Sequence, residues 1–328
     1  MITYTKGWVD INKPNILIIG KTGAGKSSVI NYVFGREVAP VGNVAEPMTR
    51  GIIPYDHESF TIYDSEGYEL GDDKQRHYER LILDSLAESE YHIVWYAIPA
   101  ADKRITELDI KLIKRIKREG FPVCLLLTKV DEPDEKQLND MLATANEKLA
   151  GVNVFRLSVN ANNNPALAAS CNWKKLVDYS IEKAEQYLLK LKREEANTII
   201  TKATVAAGAV ALSPIPFSDA ALLVPIQTAM IFKIFSIYGV SLGKAVVTNV
   251  ASAVLTTAIG QSFAGNLLKF IPFVGSIGGA IINTGVATAI TGILGNMVAD
   301  LCESGGDIER KFSSSSFIVG AVQKFKER

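Results

Sequence analysis

Histidine and cysteine are scarce, three of each in 328 residues, and neither sign of charge is in excess, with 35 basic and 35 acidic side chains. Cys124, Cys171 and Cys302 are odd in number and far apart, which excludes a disulfide framework or a thiolate metal cluster and leaves reduced packing or surface thiols. His57, His77 and His92 have no spacing that sets two on one helical face, so none is read as a metal ligand. A neutral chain has no global attraction for polyanions, so DNA is excluded as a partner and any lipid affinity must be local. Met1–Pro14 holds Trp8, Asp10 and Lys13 but no apolar run of signal-peptide length, so the expected location is cytoplasmic, at the inner face of a membrane if any part meets lipid.

What the chain has is apolar material, 48% of its residues, enough for a large core and for two domains. Charge is spread unevenly. Between Ala203 and Ala299 only Asp219, Lys233, Lys244 and Lys269 are charged. The expected division is an α/β unit over 1–165, an amphipathic connecting helix over 166–202 and an apolar helical domain over 203–328. In the first unit, apolar runs at Asn15–Ile19, Phe60–Tyr63, Ile93–Ile98, Val123–Leu127 and Val154–Leu157 read as strands. The intervening Ser27–Phe34, Thr106–Glu119 and Glu135–Leu149 read as helices, which gives βαβ units around a mostly parallel sheet. Thr106 with Asp109 predicts a capped helix start, and Gly120 its C-terminal stop. Val177, Ile181, Ala184, Leu188 and Leu191 recur at helical spacing in the connecting segment. The serine run Ser313–Ser316 reads as a flexible joint before a terminal helix.

Gly20-Lys21-Thr22-Gly23-Ala24-Gly25-Lys26-Ser27 fills the pattern G-x-x-x-x-G-K-[ST] between a strand and a helix. Its glycines let successive N–H groups turn inward at phosphate oxygens, and the helix N-terminus adds its positive dipole end. Lys26 would bridge the β- and γ-phosphates and Ser27 would bind Mg²⁺, with Ser28 beside it. Asp64-Ser65-Glu66-Gly67 ends a strand as D-x-x-G, where Asp64 would hold Mg²⁺ through water and Gly67 would offer its N–H to the γ-phosphate. Thr49 is the sole serine or threonine between Ser28 and Ser59, so a loop threonine closing over Mg²⁺ must be this one. Thr128-Lys129-Val130-Asp131 lies at the carboxyl edge of a strand, where a carboxylate accepts from guanine's N1–H and exocyclic amine, a donor pair adenine lacks. Ser158-Val159-Asn160, just after the last strand, would present a backbone N–H to guanine O6. The ligands read from these residues are GTP or GDP with Mg²⁺.

In this order and spacing the five elements resemble the guanine-nucleotide domain of the Era-like, TRAFAC-class GTPases, over roughly Lys13–Val159. The loop Gly20–Ser28 is also similar to immunity-related and septin-like relatives. The resemblance implies a P-loop NTPase fold, a three-layer α/β sandwich with a mostly parallel sheet, and hydrolysis of GTP to GDP and phosphate. Ser213–Asp219 and Ile237-Tyr238-Gly239-Val240 resemble a helical domain of unknown function that follows such GTPase domains in bacteria and also occurs in inner-membrane proteins. Two departures stand out. Tyr68 follows Gly67 where Ras-like enzymes carry a water-orienting glutamine, so unaided turnover is expected to be slow. Gly23 stands where potassium-activated members carry asparagine. Arg36, Arg50 or another molecule would supply the missing positive charge.

Residues 203–299 admit three readings: a soluble bundle of small-residue helices, constitutive membrane spanning, and a bundle that docks on lipid when the nucleotide changes. Function is accordingly expected to be a nucleotide switch whose helical domain self-associates, or meets lipid or a protein partner. The alternatives are a non-hydrolysing nucleotide-binding scaffold and a ribosome-assembly GTPase. Against the last stands the paucity of lysine in 203–299.

Overall fold

The computed structural model describes residues 13–41, 51–68, 71–88, 91–211, 219–264 and 278–327. The chain forms two compact units, one of Asn12–Leu188 and one that includes Leu189–Arg328.

The first unit is built on a six-stranded sheet in the order β2-β3-β1-β4-β5-β6. Its strands are β1 (Asn15–Gly20), β2 (Ile52–Asp56), β3 (Thr61–Ser65), β4 (Ile93–Pro99), β5 (Val123–Thr128) and β6 (Asn153–Arg156). All neighbours pair in parallel except β2, which runs antiparallel to β3 at the edge. The helices are α1 (Lys26–Phe34), α2 (Asp72–Glu88), α3 (Glu107–Arg118), α4 (Glu135–Lys148), the short α5 (Pro165–Ser170) and α6 (Trp173–Ala211). A period of two sorts the strand side chains into two cores. Leu17 and Ile19 join Val94, Tyr96 and Ile98 under α2, α3 and α4. Ile16 and Ile18 join Trp95, Ala97, Cys124 and Leu126 under α1 and the first turns of α6, where Leu176 and Ala184 are buried. Strands with both faces covered read as continuous apolar runs, which is why β1, β4 and β5 were visible in the sequence.

β2 and α2 were not. β2 carries Pro54 and is largely exposed, and an edge strand with a proline leaves little apolar signature. Among its described residues α2 buries the line Tyr78, Ile82 and Leu86 beneath a charged exterior. The expected start of α3 is confirmed. The Thr106 hydroxyl accepts the Asp109 N–H, and the Asp109 carboxylate accepts the Thr106 N–H at 2.8 Å, while Gly120 takes a left-handed φ of 96° after the helix ends.

The second unit is helical: the later turns of α6, then α7 (Asp219–Ile237), α8 (Lys244–Ala264), α9 (Gly278–Ser304), α10 (Ile308–Phe312) and α11 (Ser315–Lys326). Its core joins Ala196, Ala203 and Ala207 of α6 to Met230, Ile234 and Phe235 of α7, Val250 and Val254 of α8, Ile290 and Leu294 of α9 and Phe312 of α10. Close approach depends on small residues, since a Cβ at Gly295 would lie 2.7 Å from Ile200 and 2.9 Å from the sulfur of Met230. Arg193 pairs with Asp300 and Glu303, and the Tyr238 hydroxyl donates to Glu303 at 2.7 Å. Contrary to the expected flexible joint, the serine run begins a helix: Ser314 Oγ accepts the Phe317 N–H as the N-cap of α11. A serine that satisfies an orphan helical N–H is ordered by that bond. The motif residues Ser213–Ser218 lie outside the described residues.

All three cysteines are free thiols, and burial pushes Cys124 up to about 12, so it has no thiolate chemistry near neutral pH. One buried polar pair ties α6 to the sheet: the Trp95 indole N–H donates to Ser180 Oγ at 2.8 Å, with both residues 0% exposed. Ser180→Ala leaves that N–H buried without its acceptor. We expect a loss of about 1–3 kcal/mol in stability, measured by urea unfolding.

Candidate functional site

The loop 20–27 leaves β1 and enters α1 with three glycines in conformations that side chains rarely take: φ is 146° at Gly20, 77° at Gly23 and 84° at Gly25. Space restricts Gly20 as well, because a Cβ there would lie 2.3 Å from the Ala97 carbonyl oxygen. Gly25 is the N-cap of α1 and supplies no capping side chain. The first N–H groups of the helix therefore point out of the loop, the arrangement that attracts an anion. Lys26 is 8% exposed, and its ammonium donates to the carbonyls of Gly20 at 3.2 Å and Lys21 at 3.4 Å. Burial pulls its pKa from 10.5 down to about 8, against the opposing pull of Asp64 and Glu66. A cation caged by neutral carbonyls with carboxylates nearby suits a polyphosphate.

The Ser27 hydroxyl donates to Asp64 Oδ2 at 3.0 Å, and Asp64 is fully buried at the end of β3. Two hard oxygen donors on adjoining elements, next to the anion cradle, fit Mg²⁺, which binds through one or two protein oxygens and phosphate. Gly67 packs against the loop so tightly that a Cβ would lie 2.5 Å from the Cα and nitrogen of Thr22. The adjacent Tyr68 carbonyl accepts the Thr22 N–H at 2.9 Å. Thr22 Oγ1 is itself buried with no hydrogen-bond partner among the described residues. Tyr68 is 7% exposed and donates its hydroxyl to Asp109 at 2.9 Å. Its side chain is a core anchor that points away from solvent. The Lys21 side chain is engaged in an ion pair with Asp102, which leaves its backbone for the loop. Thr49 and Arg50 lie outside the described residues.

The segment 128–131, expected from the sequence to read the base, is joined to the loop 20–27. Thr128 Oγ1 donates to the Ala24 carbonyl at 2.7 Å, and Lys129 takes a left-handed φ of 53° that turns the chain toward Asp131. Asn160 donates from its side-chain amide to Asp131 Oδ2 at 2.7 Å. Burial pushes the Asp131 carboxyl up, but hydrogen bonds from Ser158 and Asn160 outweigh it and hold it below its ordinary value. Thr128, Lys129, Asp131, Ser158 and Val159 share one cavity of about 140 Å³ with Gly25 and Ser28. The structure thus gathers all the described site residues except Asp64 and Gly67 at the rim of one cavity or in the loop beside it, and Asp64 meets the loop through Ser27. The sequence reading did not assign Val29, Glu132, Leu157 or Trp173 of the cavity lining to the site, nor a role to the Asn160 side chain. Trp173 lies inside the segment 166–202 expected to be a connecting helix, and no local motif marks it as part of a site.

A parallel sheet with this loop after its first central strand, and a carboxylate after β5, defines a mononucleotide-binding α/β domain. Residues 15–129 match the family model described as 50S ribosome-binding GTPase, and residues 178–324 match a domain of unknown function, DUF697. By these two matches the chain is similar to a GTPase domain followed by that helical domain. Magnetosome membrane protein 22 of Magnetospirillum gryphiswaldense is 34% identical over 117 residues, 34% of this chain and 60% of the relative. Probable GTP-binding protein EngB of Laribacter hongkongensis is 29% identical over 142 residues, 42% of this chain and 64% of the relative. The chain spans less than two thirds of the length of either relative. Aquifex aeolicus Era bound to GDP and aluminium fluoride aligns at 18% identity with a TM-score of 0.40, over 52% of this chain and 56% of that one.

The state of Lys26 has a consequence for stability. Its folded pKa of about 8 lies below the unfolded 10.5, so the unfolded chain binds more protons and nucleotide-free protein gains stability as pH rises from 8 to 10.5. We expect Lys26→Met to be more stable than the wild type at pH 7 in urea unfolding, with the gap narrowing steadily between pH 8 and 10.5.

Proposed function

We propose that this chain binds GTP with Mg²⁺ and hydrolyses it to GDP and phosphate, and that the helical unit carries the output of this switch. One observation carries the reading: the cradle at the α1 N-terminus and the carboxylate of Asp131 converge on a single cavity, with the Lys26 ammonium in the adjoining loop. The loop N–H groups and Lys26 bind and neutralise the phosphates. Ser27 and Asp64 would hold Mg²⁺, which when bound draws charge from the phosphate oxygens. Gly67 registers the γ-phosphate through its N–H, and Thr49 closes on the metal side. Asp131 fixes the base by accepting two hydrogen bonds from guanine.

Because Tyr68 is locked on Asp109, the position after Gly67 has no side chain to orient water. Hydrolysis by the isolated chain is therefore slow, and a group from a partner or a second copy raises it. A lipid partner is favoured by two facts: a similar protein is called a magnetosome membrane protein, and the segment Thr284–Ser304 is long and apolar enough to span a bilayer. Half of that segment is buried in the helical unit, and Asp300 and Glu303 at its end pair with Arg193. The resting form is thus a packed bundle, and lipid docking belongs to a changed state.

The test is turnover of GTP and ATP by the full chain across protein concentrations, with and without liposomes. GTP-selective turnover that rises with concentration or lipid is expected. ATP preference ends the base assignment, and negligible turnover under every condition with intact GTP binding leaves a scaffold. Asp131→Asn removes a charge that accepts two hydrogen bonds, so GDP affinity falls at least about a hundredfold by equilibrium binding.

A further inference from the structure

Trp173 is the first residue of α6 and lines the cavity that holds Asp131. Both its ring face and its N–H are engaged. The indole N–H donates to the Ser158 carbonyl at 3.2 Å. The ring stacks on Tyr32 of α1, with centroids 3.8 Å apart and planes 16° from parallel. Ser158 is 2% exposed, its hydroxyl bonds the Asp131 carboxylate, and its Oγ accepts the Asn160 N–H at 3.1 Å. Asn160 then reaches Asp131 Oδ2. The carboxylate expected to read the base is held by residues 158–160, and those residues are held by the indole.

We propose that Trp173 is a positioning residue for base recognition, fixing the loop 158–160 and through it the orientation of Asp131. The proposal rests on the guanine reading above. Two parallel hydrogen bonds to a base require a carboxylate held in plane, because such bonds weaken steeply with misalignment. A side chain that also stacks on α1, the helix that begins with Lys26 and Ser27, ties the base end of the site to the phosphate end. It further makes the start of α6 a wall of the nucleotide cavity.

The test compares GDP with IDP, whose base lacks the exocyclic amine and so gives Asp131 one hydrogen bond instead of two. Trp173→Phe keeps the ring stack and removes the N–H. We expect the ratio of GDP to IDP affinity to fall about fivefold in this variant, the loss of one ordinary hydrogen bond's worth of positioning. An unchanged ratio in folded Trp173→Phe, with the ratio abolished in Asp131→Asn, overturns the proposal and leaves the guanine reading intact. Wild-type protein that binds GDP, IDP and ADP alike overturns both. A Trp8→Phe chain gives a reading that leaves Trp173 in place. Trp95 is fully buried, so GDP should protect the remaining accessible indole from acrylamide quenching, and quenching indifferent to GDP contradicts a place for Trp173 at the base.

Discussion

The site depends on an ammonium held out of water by the backbone that is built to receive phosphate. Lys26 is enclosed by the carbonyls of Gly20 and Lys21, and the proximity of Asp64 and Glu66 does not restore its normal basicity. A drop from 10.5 to about 8 corresponds to roughly 3 kcal/mol of disfavoured charge. Such a cost is tolerated where the surrounding fold supplies a surplus, and here the two buried faces of the sheet supply it. A bound polyphosphate would reverse the sign, because it gives the cation the partner that the free protein only approximates.

Around that cation the other contacts fall into place as constraints on geometry. Gly20 lets β1 pass within reach of Ala97, and Gly67 lets the end of β3 lie on Thr22. Thr128 joins β5 to the same loop through Ala24. The segments that would sense the γ-phosphate, the metal and the base are thus all fastened to one turn of backbone. Small movements of that turn reach each of them, which is the property a nucleotide switch requires.

Much of this was legible in the residues alone, for a physical reason. A phosphate cradle is made of backbone, and the glycines and lysine that permit its shape must stand at fixed spacings. The parallel strands announce themselves because both faces are buried. What escaped notice depends on contacts across sequence distance. Trp173 enters the cavity by way of a helix that its own periodicity marks only as amphipathic. Asn160 acts through a side chain beside Ser158 and Val159, which were read for their backbone. Tyr68 was recognised as a departure from the Ras-like pattern, but its bond to Asp109 could not be seen, because Asp109 was already explained as part of the α3 cap. In the helical unit the apolar character was plain. The pairing of Arg193 with Asp300 and Glu303, which anchors the charged end of α9, has no local sequence signature.

The most direct measurement of the central claim is the titration of Lys26 itself, followed by NMR on protein with ¹³C-labelled lysine side chains, free and saturated with GDP. The account predicts a lysine that titrates near pH 8 in the free protein and moves back above about 10 when the diphosphate neutralises its surroundings. A Lys26 resonance whose titration is the same with and without GDP would contradict it.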